Sequence, residues 1–315
     1  MKIVYMGTPD FAVWPLEALI EAGHEIVLVV TQPDKQKGRG KQVMMTPVKE
    51  CALKHDIPVF QPVKIKESEA VETLKGYEAD VFVVAAFGQI LSQEILDMPR
   101  LGCFNIHASL LPKYRGAAPI QWAIIDGEKE TGVTIMRMDI GLDTGDMVSK
   151  SVVEITDEET GESLHDKLAA CGAKLIVETM PSIEDGSYVA QKQDDGASCY
   201  AKMLTKSLGK IDFSKDAVAI ERLIRGLNSW PSAYTTLHGK TCKVWKAEVV
   251  MHDSGKAPGT VTEVAKDYIT VQTGKGQLKL LQLQLEGKKR VSVRDFLLGH
   301  SVTVGETFGE EGWHE

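Results

Sequence analysis

The sequence predicts a two-domain α/β protein, with an open, mostly parallel sheet followed by a small β-barrel. Its 315 residues exceed what one compact core usually holds. In the first ninety residues, apolar strand-like runs alternate with helical patterns, which is typical of a parallel sheet covered on both faces. After residue 206, several short strand-like runs separated by turns predict the barrel. We therefore predict a first domain over 1–190, a linker over 191–206 and a second domain over 207–315.

The composition indicates a globular protein rather than a disordered or fibrous one. It is 43% hydrophobic, 25% charged and 6% aromatic. The longest apolar run, residues 81–87, is too short to cross a bilayer, and the first residues reach glycine and proline before a signal-peptide segment could develop. We expect a cytoplasmic protein without a membrane partner.

The cysteine pattern argues against both a disulfide framework and a zinc site. The five cysteines are scattered, odd in number and never in CxxC spacing. We expect ordinary buried thiols at Cys51, Cys103, Cys171, Cys199 and Cys242.

The charge is unevenly distributed along the chain, whose formal net charge is -8. Residues 1–205 contain 20 Lys and Arg against 31 Asp and Glu, whereas residues 206–305 contain 16 against 9. An acidic domain joined to a basic one is a recognised hint of polyanion binding. An excess of solvated lysines without any partner explains the same count.

The apolar runs at 2–6, 25–31 and 79–86 are the predicted parallel strands, and ligands of such sheets bind beyond the carboxyl ends of the strands. The segment after residue 6 lacks the G-x-G-x-x-G fingerprint, which argues against a nicotinamide cofactor. The segment 32–41 contains four positive charges in seven residues. It is either a mobile solvated loop or a cationic arm that closes over a phosphate backbone.

Two helices are predicted further along. Apolar residues at helical spacing over 164–179 predict a helix that ends at Pro181. Ser214 is predicted to cap a second helix over 217–227.

The densest polar constellation lies at 101–122. If residues 103–109 form a strand, Asn105 and His107 share a face. A histidine in a strand can simply be a satisfied core residue. A later carboxylate at Asp143, bracketed by glycines, makes an Asn-His-Asp trio possible, which suits acyl transfer. Since no nucleophile elbow is present, the attacking group would belong to the substrate.

Long segments then resemble a known family. The run NIHASLLPKYRGAAPIQWAI, followed by ETGVTIMRMDIGLDTGD, resembles the signature of formyltransferases that use 10-formyltetrahydrofolate. The resemblance extends through MGTPDFAVWPLEAL, TQPDKQKGRGK and AAFGQIL, and past the linker through KIDFSKDAVAIERLIRGLNSWPSAY. It implies a Rossmann-like formyltransferase domain and a tRNA-binding, OB-like barrel.

The resemblance also implies the reaction, its partners and its residues. The formyl group of the co-substrate 10-formyltetrahydrofolate would pass to the α-amine of methionine on initiator tRNA, with catalytic roles for Asn105, His107 and Asp143. No metal is expected in the catalytic site, and a monomer is expected. The implied folate contacts are Ser109, Leu110, Leu111, Pro112, Phe87, Gly88, Gln89, Ile90, Leu91 and Asp139. The implied tRNA contacts are Lys37, Arg39, Lys41 and Lys206.

Two alternatives remain at this point. A sugar-nucleotide formyltransferase shares the central signature but would direct the same donor to an amine on a pyranose. A folate-binding or RNA-binding protein without turnover is the alternative outside enzymes, and the intact trio argues against it.

Overall fold

The computed structural model describes residues 1–37 and 42–309. Their contacts divide into two compact units. The first unit comprises the described residues of 1–119, 130–154 and 165–201, and the second comprises the rest. Among the described residues, no helix has both the length and the apolar character needed to cross a membrane.

The first unit is built on a seven-stranded sheet and two short two-stranded sheets. Its strands are β1 (Lys2–Gly7), β2 (Glu25–Val30), β3 (Lys35–Lys37), β4 (Gln42–Met44), β5 (Val59–Phe60), β6 (Val81–Ala85), β7 (Cys103–His107), β8 (Arg115–Gly116), β9 (Glu130–Arg137), β10 (Met147–Glu154) and β11 (Tyr200–Ala201). The large sheet has the order β10-β9-β7-β6-β1-β2-β5, while β3 pairs with β4 and β8 with β11.

Five strands of the large sheet are parallel. The strand β1 lies between β2 and β6, and β6 continues in parallel to β7. At one edge of the sheet, β9 pairs antiparallel with both β7 and β10. The predicted open, mostly parallel sheet is confirmed, and its strand order reverses at β1, where ligands of such sheets collect.

The central strands are continuous apolar runs because both of their faces are covered. All five residues of β6 are buried, as are the last five of β1. Cys103 of β7 packs in the same core cluster as Phe82 and Val84. Side chains alternate along a strand, so Asn105 and His107 point to the same face as Cys103, nearer the carboxyl end.

Within the described residues, six α-helices precede or follow these strands in the chain. They are α1 (Val13–Glu21), α2 (Pro47–Lys54), α3 (Ser68–Lys75), α4 (Gln93–Leu96), α5 (Pro119–Asp126) and α6 (Gly161–Asp185). The prediction that a helix ends at Pro181 is wrong, since α6 includes this residue. Met180 and Ile183 on either side of the proline are buried, so their packing keeps the last turn helical despite the missing N–H.

The second unit contains an antiparallel sheet. Its further elements are α7 (Ala217–Gly226), β12 (Ala233–Leu237), β13 (Lys240–Val250), β14 (Val261–Val264), β15 (Ile269–Gln272), β16 (Gln277–Leu285), β17 (Val291–Ser292) and α8 (Val293–Leu297). The path is β12-β13-β16-β15-β14, with β17 beside β16. One core cluster combines its inward side chains with those of α7 and α8.

The segment 305–309 connects the two ends of this sheet. Val261 N of β14 donates to Glu306 O at 2.8 Å, and Gly309 N donates to Thr236 O of β12 at 3.0 Å. Phe308 between them is 1% exposed. The predicted small β domain is confirmed, and this segment gives it the closed edge that a barrel needs.

Two local predictions are corrected. Ser214 does not cap α7, because its hydroxyl bonds to the Asp212 carboxylate and the N-cap position is occupied by Asp216. Cys199 is exposed rather than buried, since it lies in the irregular segment before β11, and Cys171 is only half-buried. Cys51, Cys103 and Cys242 are buried as expected.

Candidate active site

His107 ends β7 with its imidazole fixed by the backbone. Its Nε2 lies 2.9 Å from the carbonyl oxygen of Tyr114. A carbonyl oxygen only accepts, so Nε2 carries the proton and donates it to Tyr114. The residue is 6% exposed. Its second nitrogen, Nδ1, is therefore the one free to exchange a proton.

Asp143 faces that nitrogen. Its Oδ1 lies 3.7 Å from His107 Nδ1, which is ion-pair distance but longer than a hydrogen bond. Its Oδ2 accepts a hydrogen bond from Gly116 N at 2.8 Å. A Cβ at position 116 would lie 2.5 Å from the ring of Tyr200, so glycine is required at this donor. The structure thus brings His107 and Asp143 together, each held by the backbone.

Asn105 lies two residues before His107 on the same face of β7. It is half-buried, and it is opposite Val84 of β6 in the register. Because β6 and β7 are parallel, Asn105 and the residues that follow β6 meet at the same sheet edge. The trio of Asn105, His107 and Asp143 is therefore placed at the carboxyl edge predicted for the ligand.

The segment 109–112, predicted to contact folate, is anchored by two neighbouring strands. Thr134 of β9 donates from Oγ1 to Ser109 O at 2.7 Å and accepts from Leu111 N at 3.1 Å. Lys150 of β10 donates from Nζ to Leu111 O at 2.6 Å, and burial lowers the pKa of this amine. Leu110 and Pro112 are half-buried between these anchors.

The segment 87–91 follows β6 and contributes two buried and three more accessible residues. Phe87 and Leu91 are each 2% exposed. The carbonyl oxygen of Phe87 accepts hydrogen bonds from Thr8 and Gln32, which follow β1 and β2. The loops after three parallel strands are thus tied together. Gly88 has φ +82, and the Gln89 side chain bonds to Ile65 N and Pro62 O.

The loop 139–146 is held by its own hydrogen bonds and by Gln193. Asp139 is exposed, and its Oδ1 accepts from Gly141 N and Thr144 Oγ1. Gln193 Nε2 donates to the carbonyl oxygens of Asp143 and Gly145 at 2.8 and 2.7 Å. A Cβ at position 145 would lie 1.9 Å from Arg137 O, which explains the glycine there.

The predicted tRNA contacts are placed only in part. The backbone of Lys37 is in β3, and Lys206 is exposed in a 3₁₀ turn over Lys206–Gly209. Arg39 and Lys41 lie outside the described residues.

Sequence reasoning missed Thr134, Lys150 and Gln193, which position the site. Thr134 gave a usable signal, as a polar residue inside an apolar strand. No sequence pattern indicates Gln193, because residues 191–206 are predicted to be a polar linker. In the structure this residue is 6% exposed, and its side chain also accepts a hydrogen bond from Arg115 Nε at 3.0 Å.

Family comparisons cover both units. A family model described as formyl transferase matches residues 1–180, and one described as formyl transferase, C-terminal domain, matches residues 203–301. A methionyl-tRNA formyltransferase from Agathobacter rectalis is 59% identical over 98% of this chain and 99% of its own. The chain belongs to the methionyl-tRNA formyltransferase family. A second member, from Clostridioides difficile, is 50% identical over 98% of this chain and all of its own.

Solved structures show the same fold at greater distance. A sugar 3N-formyl transferase, determined with dTDP and 5-N-formyl-THF, has a TM-score of 0.65 at 21% identity and covers 92% of this chain and 99% of its own. An N-formyltransferase from Helicobacter canadensis has a TM-score of 0.64 at 19% identity, with 89% and 98% covered. Membership of the family confirms the predicted formyl-transferring enzyme. It also favours methionyl-tRNA over a sugar nucleotide as the acceptor.

Proposed function

We propose that this enzyme transfers the formyl group of 10-formyltetrahydrofolate to the α-amine of methionine on initiator tRNA, in the cytoplasm and as a monomer. The observation that supports it most is the pairing of His107 with Asp143 at the carboxyl edge of the sheet, beside Asn105. Family membership supports the reaction, and the geometry supports these residues as its reacting centre.

Asn105 and His107 would stabilise the oxygen of the formyl group. The amine attacks the formyl carbon, so a new N–C bond forms and the oxygen becomes an oxyanion. A fixed amide N–H from Asn105 directed at this oxygen lowers the barrier by about 3–4 kcal/mol in comparable oxyanion sites. His107 would add its charge once a proton reaches Nδ1, with the carboxylate of Asp143 compensating that charge.

The same pair would move the proton. The amine loses one proton as the N–C bond forms, and N10 of the folate gains one as its bond to the formyl carbon breaks. An α-amine has a reference pKa of about 7.7–8.0, so a useful neutral fraction exists near neutral pH and no strong base is required. Asp143 would accept the amine proton and pass it to Nδ1 of His107, which would give it to N10, so both side chains return to their starting states. A positioned acid–base group contributes on the order of 10²–10⁴ in rate.

The predicted donor site has the chemistry that a flat pteridine ring needs. Large apolar side chains in segment 87–91 and in the loop 139–146 are exposed, with Ile90 at 58%, Ile140 at 61% and Leu142 at 50%. Binding pockets combine such apolar surface with a few fixed polar groups. The backbone of segment 109–112, anchored by Thr134 and Lys150, would supply those groups.

Charge supports tRNA as the acceptor. The basic stretch 206–305 belongs to the second unit, where Lys243 and Arg290 lie over the Trp245 ring at 5.5 and 4.8 Å from its centroid. We propose that this unit, which includes Lys206, contacts the phosphate backbone together with Lys37, Arg39 and Lys41. Such binding weakens as salt rises because counterions are released.

An acceptor assay tests the proposal. With labelled 10-formyltetrahydrofolate, we expect formylation of methionyl initiator tRNA and none of an aminosugar nucleotide. Asn105→Ala and His107→Ala should each lower kcat by about 100-fold or more, since each removes a group that acts in the transition state. Circular dichroism checks that both variants fold.

The matched control is His252→Ala, which removes an exposed histidine of the second unit. It should retain the activity of the unmodified enzyme. Turnover near that level in the Asn105 or His107 variant would contradict the assigned roles, and preference for the aminosugar nucleotide would contradict the acceptor.

A further inference from the structure

A cluster of three different metal-ligating side chains lies on α1 and α2, outside the candidate active site. Glu17 is on α1, Cys51 is in α2, and His55 is the C-cap residue of α2. Cys51 and His55 are four residues apart, which puts them on one side of the helix. One ligand atom from each residue lies within 4.8 Å of the other two, and Cys51 Sγ is 3.9 Å from Glu17 Oε1.

We propose that Glu17, Cys51 and His55 bind a zinc ion, with water as the fourth ligand. Thiolate, imidazole and carboxylate are the groups that bind zinc in proteins. Cys51 is 3% exposed, while Glu17 and His55 are exposed. The ion would therefore sit at the surface above a buried sulfur, with one side open to water. One thiolate and one carboxylate balance its two charges.

The geometry needs only a small contraction. Zinc–sulfur bonds of about 2.3 Å and zinc–nitrogen bonds of about 2.0 Å bring tetrahedral ligands to roughly 3.5 Å from one another. The exposed side chains of Glu17 and His55 can make this movement by changing rotamer. As the metal binds, the Cys51 thiol releases its proton to solvent and nothing is oxidised or reduced.

The hydroxyl of Tyr5 does not add a fourth protein ligand to this trio. The hydroxyl of Tyr5, adjacent to Cys51 in the core, donates to Ala12 O at 2.6 Å and is already committed. A weak Cys51–Glu17 hydrogen bond is the competing explanation for two of the residues, but it gives no reason for His55 to face them. The ion would tie α1 to α2, the helix that follows β4. This inference does not depend on the proposed function.

The test uses the full-length protein with Zn²⁺ and with Co²⁺ as its coloured substitute. Competition with a chromogenic chelator should show a single tight zinc equivalent, and Co²⁺ should give a thiolate-to-cobalt charge-transfer band. Cys51→Ser should abolish the band. His55→Ala, at an exposed position that keeps the fold, should weaken zinc binding by more than the roughly 10–100-fold typical of losing an outer-sphere partner.

Cys199→Ser is the matched control, because it removes an exposed cysteine elsewhere in the same unit. It should leave the stoichiometry and the cobalt band unchanged. The proposal is overturned if no zinc equivalent binds tightly, if the band survives in Cys51→Ser, or if His55→Ala binds zinc as well as the unmodified chain does.

Discussion

Thr134 is a single buried hydroxyl that holds the predicted donor-binding segment in place. It is 0% exposed and makes hydrogen bonds to both Ser109 O and Leu111 N. Thr134→Val keeps the shape of the side chain but leaves two buried backbone groups without their hydrogen-bond partner. The loss destabilises the fold by about 1–3 kcal/mol for each group. We expect the free energy of unfolding in urea to fall and the KM for the formyl donor to rise more than kcat falls.

Thr134→Ser separates this role from simple packing. It restores the hydroxyl and removes only a methyl group, so the KM for the donor should return close to that of the unmodified enzyme. If Thr134→Val kept the original donor KM, segment 109–112 would not depend on this anchor.

The residues proposed from the sequence as catalytic differ in kind from the positioning residues, which the sequence did not reveal. Asn105, His107 and Asp143 carry reactive groups within a distinctive motif. Thr134 and Gln193 each act through two hydrogen bonds to backbone atoms, and Gln193 reaches a loop about fifty residues earlier in the chain. Such bonds depend on where the folded backbone passes, and side-chain type alone does not reveal that.

At the scale of the element, strands were predicted better than element ends. The strands β1, β2 and β6 are continuous apolar runs, a pattern that burial on both faces requires. The end of α6 was missed because the packing of Met180 and Ile183 outweighs the local effect of Pro181. Local propensity sets a preference, and tertiary contacts decide where an element ends.

An ion pair joins the start of α6 to the turn before α1, and it should respond to pH. His165 Nε2 lies 3.5 Å from Asp10 Oδ1, and His165 Nδ1 lies 3.0 Å from Asp166 Oδ1. The carboxylate of Asp10 beside the ring raises the pKa of His165 above its usual 6.5, and the same contact lowers the pKa of Asp10 below 3.8.

The directions of these two pKa shifts define the pH range in which the ion pair stabilises the protein. A raised histidine pKa gives stability that is complete below about pH 6.5 and is lost as the pH rises through the folded-state pKa. A lowered aspartate pKa gives stability that is complete above about pH 3.8 and is lost on acidification. His165→Gln should therefore destabilise the protein by about 0.5–1 kcal/mol more near pH 5 than near pH 8.5, because the pair is partly exposed.

Urea unfolding at the two pH values measures this difference. His252→Gln, at an exposed histidine of the second unit, should show no comparable change between them. A His165→Gln effect that was equal at both pH values, or larger at alkaline pH, would contradict the assigned pair.

At the scale of the whole molecule, charge is divided along the chain, because residues 1–205 have a net charge of -11 and residues 206–305 have a net charge of +7. The acidic stretch 1–205 contains the candidate active site, whereas the basic stretch 206–305 lies in the second unit. This division could be predicted because charge is a property of composition. The hydrogen bonds of segment 305–309 to β12 and β14 could not, since a short terminal stretch has no periodic pattern.

We expect the closed sheet edge of the second unit to depend on the side chain of Phe308. Its ring is 1% exposed and lies 6.4 Å from that of Phe213, between backbone bonds that reach β14 and β12. Phe308→Ala removes a large buried side chain, which costs about 3–5 kcal/mol. Because each unit has its own core, hydrogen exchange should lose protection in β12 and β14 while β1 and β6 keep theirs. Val304→Ala, at a residue 63% exposed, is the control and should change neither. Equal loss in both units would mean that they unfold as one.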